Sequence, residues 1–178
     1  MSISFYDVSV GSFLQTLAGT ATVLDKAQAH CDAAKLDPDA VVETRLYPDM
    51  QPFRFQIRSV VHHSRGAIEG LRSGTFSPPG PAPAYTFAEL RRLIEEARGA
   101  VGQVTAEELD KLAAGTVVFT AGERRVPFTA VNFILSFSLP NHYFHATTAY
   151  DILRMTGVPL EKRDYLGRLR FERQPTTA

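Results

Sequence analysis

The chain has 178 residues, 44% apolar and 21% charged, a balance that suits one soluble domain with one sizeable core. Lysine plus arginine and aspartate plus glutamate number 19 each, so the net basic charge that holds nucleic acid or an anionic membrane is missing. Cys31 is the only cysteine, which excludes an internal disulfide and a cysteine-based zinc site.

The opening "MSISFYDVSV" lacks the basic region and apolar run of a secretory leader, and no apolar run reaches bilayer length. The expected location is cytoplasmic. Residues 5 to about 32 read as one long helix, with Tyr6, Val10, Phe13, Leu17, Ala21, Leu24 and Cys31 on a single stripe. Asp37-Pro38 and Pro48-Asp49 bracket a short helical piece, "DAVVETRL". A second long helix is predicted from about Pro52 to Leu71, capped by Asp49 and stopped by Gly74. Its inner stripe is Phe53, Ile57, Val60, Ser64, Ala67 and Leu71. "SGTFSPPGPAPAY" then reads as an extended crossover, because clustered prolines forbid helix and central strand.

Thr86 with Glu89, and Thr105 with Glu108, are capping-box pairs that open two further helices. Two β-prone runs around Gly122 in "TVVFTAGERRVPF" predict a small hairpin, which needs cover from the helices or a partner. The last long helix spans about 129 to 156, is bent or restarted near Pro140, and ends at Gly157. Residues 1–170 form one domain in this reading, and 171–178 a mobile tail. The sum is an all-α fold, a four-helix bundle with a small β-hairpin before the last long helix.

That last helix carries "NHYFHATTAYDILR", with polar residues among apolar ones. At about 100° per residue, Asn141, His145, Thr148, Ala149 and Ile152 share a face, with Ile134 on its upstream extension. His145 lies near the middle, His142 on the flank, and Tyr143, Thr147 and Tyr150 opposite. On the second helix His63 flanks the inner stripe beside Gln56, while His62 points outward. A buried imidazole needs partners for both nitrogens, and Asn141, Gln56, Thr148 or a second histidine could supply them. The competing reading is a core histidine hydrogen-bonded for structure alone. No HExxH, di-iron Glu-x-x-His pair, phosphate loop or nucleophile elbow is present.

Three stretches carry a likeness: "SFYDVSVGSFLQTLAGTATVLDKAQAH", "RLYPDMQPFRFQI" and "NHYFHATTAYDILRMTGV". Across residues 4 to about 167 the chain resembles an uncharacterised bacterial and fungal branch of the DinB-like, or YfiT-like, superfamily. The resemblance implies a DinB-like four-helix bundle, usually a homodimer. Wider relatives include divalent-metal proteins and thiol-dependent transferases or isomerases. Their metal pattern is a second-helix histidine plus His-x-x-x-His on the last long helix, followed by Leu-Arg. Counting back from Leu153-Arg154, its second histidine falls on His145 and its first on Asn141, so the triad is incomplete. No metal is expected; if one binds, His145 and His63 are the ligands.

The resemblance implies a small-molecule pocket at the bundle centre, with His145 and Asn141 as catalytic residues. His63, Gln56 and Thr148 would contact the ligand. The chemistry implied is a metal-independent or weakly metal-dependent transfer or isomerisation. The alternative is a non-catalytic dimeric binding or stress-related module whose polar core residues are structural. Both readings stand at the level of sequence.

Overall fold

The computed structural model describes residues 3–81 and 83–171. The expected mobile tail, 171–178, lies outside the described residues apart from Phe171. Helices α1 (Phe5–Val8) and α2 (Val10–Ala34) occupy the predicted first long helix, which breaks at Ser9. There the backbone leaves the helical region (φ −101°, ψ −82°), and the Ser9 hydroxyl donates to the Phe5 carbonyl. The second predicted helix breaks the same way. Ser64 (φ −118°, ψ −83°) separates α3 (Phe53–His62) from α4 (Arg65–Ser73), and its hydroxyl donates to the Val60 carbonyl at 2.7 Å. A serine hydroxyl bonded to the carbonyl four residues back offers the chain an alternative to continuing the helix.

Two other expectations are corrected here. Asp49 does not cap α3, whose N-cap residue is Pro52 with no side-chain bond. "DAVVETRL" is not a helix; only a 3-10 turn forms, at Pro38–Val41, where the Asp37 carboxylate accepts the Asp39 N–H.

Helix α5 (Phe87–Gly102) opens with the complete Thr86/Glu89 capping box; Thr105 caps α6 (Ala106–Leu112), but the expected box with Glu108 is only half formed, because the Glu108 carboxylate accepts from Arg72 instead. The hairpin forms as predicted, from β2 (Thr116–Ala121) and β3 (Arg124–Thr129), with Gly122 at φ +59° in its turn. A further strand precedes them in the chain. Gly74 (φ +72°) ends α4 and turns the chain into β1 (Thr75–Phe76), which pairs parallel to β2. The hairpin is therefore part of a three-stranded sheet in the order β1-β2-β3. The fold is mostly helical with this small sheet attached.

The last long segment is α7 (Ala130–Asn132), a π-helical turn at Phe133–Ser138, and α8 (Leu139–Met155). Pro140 has no N–H, and its ring crowds the carbonyl four residues earlier. The helix answers with a wider turn, in which the Leu139 N–H reaches back to the Ile134 carbonyl. The predicted bend is this turn. A short α9 (Lys162–Leu166) follows.

The four longest segments pack as a closed ring: α2 against α5, α5 against α3, α3 against α8, and α8 against α2. One core runs between them, with Phe13, Leu17, Phe53, Ile57, Leu90, Ile94 and Ile152 all fully buried. Among the described residues no helix is long and apolar enough to cross a membrane. The sheet leans on α4 and on the start of the last segment, and α9 lies along α2.

The α2–α9 contact depends on Gly19. A Cβ there would stand 2.2 Å from the Tyr165 carbonyl oxygen. Gln15 ties the same approach by donating to the Leu166 carbonyl at 3.1 Å. Overfilling a packed contact costs about 1–3 kcal/mol. Gly19→Ala should lower unfolding stability by that amount in urea titrations, while Gly99→Ala, where a Cβ meets open space, should not.

Candidate functional site

The break at Ser64 leaves His63 at the end of α3, where it faces α8. The site is built around this junction. The His145 Nδ1 lies 2.7 Å from the Gln56 Oε1. Gln56 Nε2 donates to the Gln51 carbonyl at 2.8 Å, which orients the amide with its oxygen toward His145. An amide oxygen only accepts, so His145 carries its proton on Nδ1 and its lone pair on Nε2. A backbone carbonyl, a buried amide and an imidazole thus form one relay that sets the tautomer.

His63 lies against His145 with ring centroids 5.9 Å apart and planes 14° from parallel. His62 meets His63 edge to face at 5.3 Å. The sequence reading placed His62 outward; instead it rests on Phe76 of β1, centroid to centroid 4.3 Å, and its Nε2 is buried without a partner. The reason is the unforeseen strand, which brings Phe76 back over the end of α3. Phe137 of the π-helical turn closes the far side of His63 at 5.6 Å. The His63 Nδ1 is also buried and unpartnered.

Enclosure among aromatic rings disfavours the imidazolium form. Burial, then the neighbouring histidines, hold His63 down to about 3. Burial, then His62, hold His145 down to about 4. His62 is also lowered, chiefly by burial. The cluster is uncharged at neutral pH and presents lone pairs.

His142 is the residue the helical wheel misplaced. It is not on a flank but 0% exposed, its Nδ1 3.0 Å from the Val60 carbonyl and its ring edge-on to Phe13 at 5.1 Å. The carbonyl accepts, so the Nδ1–H donates, and Nε2 is left without a partner in the core. The signal for this lay in Leu139, Ala146, Ala149, Ile152 and Leu153. On a wheel their mean direction falls about 60° from His145, where His142 sits. Counting the polar Asn141 and Thr148 with the inner face turned it toward His145 and away from His142.

Two other site candidates have different partners from those expected. Asn141 is half-buried, and its amide donates to the Phe137 carbonyl at 2.8 Å, one turn back on its own helix. Thr148 is buried, with its hydroxyl spent on the Phe144 carbonyl at 2.8 Å. Of the residues named from sequence, the structure brings His145, Gln56 and His63 together.

The donors present do not fit a three-imidazole metal centre. The Asn141 amide, which the resemblance aligns with a third imidazole, is donated to the Phe137 carbonyl. Among the described residues, no group of three or more His, Cys, Asp or Glu side chains is arranged to hold a metal ion.

Comparison with known proteins now adds the family. No curated protein matches the chain. Among solved structures, a DinB family member protein from Shewanella denitrificans is similar at 27% identity, over 95% of this chain and 95% of that one, with a TM-score of 0.78. Residues 5–166 match the family model described as "Domain of unknown function (DUF1993)". The chain therefore belongs to the DUF1993 family, a DinB-like domain of unknown function.

Proposed function

We propose that the chain is a DinB-like four-helix-bundle protein that binds a small polar molecule at the His63–His145 pair, with His145 as an unprotonated acceptor. The relay from the Gln51 carbonyl through Gln56 to His145 carries this reading. It fixes one imidazole nitrogen and dedicates the other to accepting. With its pKa near 4, His145 is a weak base, but it is unprotonated throughout the neutral range. That suits accepting a hydrogen bond, or a proton, from an acidic group in a transfer or isomerisation step without a metal.

The first test is a thermal-shift screen of small polar metabolites. Compounds that raise the Tm of the wild type should leave His145→Ala unmoved. A hit that acts equally on His145→Ala and His63→Ala would place binding elsewhere. The pH dependence gives a second readout. Binding or turnover that needs the free Nε2 should fall as pH drops through about 4 and stay flat from about pH 6 to about pH 8. A midpoint near 6.5, the ordinary histidine value, would contradict it.

A second reading, a dimeric binding module, is favoured by another observation. Leu135 and Phe144 are 44% and 57% exposed on the last helical segment. A two-fold partner would cover such residues. Light scattering at micromolar concentration should then give a dimer, and Phe144→Glu a monomer. A monomeric wild type removes this reading.

His142 has a separate, structural part. Burial holds it down to about 4, below its ordinary 6.5. The unfolded chain therefore binds protons first as pH falls, and they oppose folding. The stability contributed is full above about pH 6.5 and declines as pH falls toward about 4. The slope approaches about 1.4 kcal/mol per pH unit for each such histidine. His142→Gln keeps a donor for the Val60 carbonyl but does not titrate. Urea titrations between about pH 7 and about pH 5 should show its slope reduced by about one proton. An unchanged slope would mean His142 is not among the titrating groups.

A further inference from the structure

A cleft of about 200 Å³ lies where α2 ends, between the 3-10 turn, the start of α5 and the end of α8. Leu153 in its wall is eight residues beyond His145, about 12 Å along the helix, so the cleft is separate from the histidine site. Ala27, Phe87, Leu153 and Val158 give it an apolar floor, and Cys31 and Asp37 bring polar groups to it. Its walls are tied to one another. The Phe87 N–H donates to Asp39 at 2.7 Å, the Asp39 N–H to Asp37 at 2.9 Å, and Arg154 to the Val158 carbonyl at 3.0 Å.

We propose that this cleft binds a small apolar molecule carrying a cationic amine, its body on the apolar floor and its ammonium at the Asp37 carboxylate. The size suits one ring, since apolar cavities of about 150 Å³ take up benzene. A mostly apolar lining with few polar groups is the usual composition of a ligand site. One Asp37 oxygen is engaged by the Asp39 N–H, and the other has no such bond. Asp37 is the one carboxylate among the residues that line the cleft, and Arg154 reaches its wall only at the Val158 carbonyl. The Cys31 thiol is raised above its ordinary range by burial and then by Asp32 and Asp37. The same field draws a cation and repels a carboxylate. His30 is the other titratable group in the wall. Cys31 remains a protonated thiol at neutral pH, so it reports on the cleft instead of reacting in it.

Because Cys31 is the only cysteine, thiol labelling reads this cleft alone. The rate of its reaction with methyl methanethiosulfonate is followed by mass spectrometry, at fixed pH and ionic strength, with benzylamine or benzoate added. Benzylamine should slow labelling saturably, by about tenfold at ten times its Kd, and benzoate should not. Asp37→Asn keeps an oxygen for the Asp39 N–H but loses the charge, and should weaken benzylamine about tenfold. Thr156→Phe, which fills the cleft from its rim, should abolish protection. No slowing by benzylamine in the wild type, equal slowing by benzoate, or undiminished protection in Asp37→Asn would each overturn the proposal.

Discussion

The Val60 carbonyl oxygen joins the two halves of the candidate site. In an unbroken helix it would accept the Ser64 N–H. Here that N–H goes to Val61 at 3.3 Å, and the freed oxygen takes the Ser64 hydroxyl and the His142 imidazole instead. One acceptor thus stabilises the break in the second long helix and ties α8 to α3 at that break. His63 faces α8 because the helix stops there. His145 faces α3 because it lies about one turn beyond His142. A buried imidazole bonded to a backbone oxygen holds a more defined helix phase than an apolar contact of equal size, because the hydrogen bond is directional.

Much of the chain's organisation was legible from local chemistry. Thr86 with Glu89, Thr105, Gly122 and Gly74 act within a few residues of themselves, and each does what its type predicts. The features that escaped depend on groups far along the chain or on competing bonds. Ser9 and Ser64 keep the apolar stripe in phase, so periodicity hides the two breaks; only the side-chain bond to the preceding turn reveals them. Strand β1 is two residues long and has meaning only beside β2. The site was readable in part. His145, Gln56 and His63 were named together, but Asn141 and Thr148 turned out to serve their own helix. His142, sealed in the core, was assigned to a flank because Asn141, His145 and Thr148, not the apolar residues of the same helix, set the inferred face.

The histidines differ in how they are enclosed, and that difference separates fold from site. His142 is sealed by helices and bonded to backbone. His62 and His63 are covered by the aromatic side chains of an attached sheet and a π-helical turn. His145 alone has its tautomer set by another side chain, which is in turn held by a carbonyl. Unpartnered nitrogens in such surroundings are costly to leave unused, and two of them, on His62 and His63, adjoin the half-buried His145.

The π-helical turn at Phe133–Ser138 acts as a phase corrector between two parts of the chain. Upstream of it stands the hairpin; downstream stand His142 and His145. A π-helical turn holds about one residue more than an α-helical one, so a one-residue deletion within it would restore an uninterrupted α-helix and leave the two parts in nearly the same relation. The same number of residues wound as regular α-helix would instead swing one part about 100° around the axis, so that either the histidines would leave α3 or the sheet would leave the end of α3 that it covers. The wide turn is therefore what lets both contacts coexist at this chain length, a constraint that the proline-rich crossover does not share.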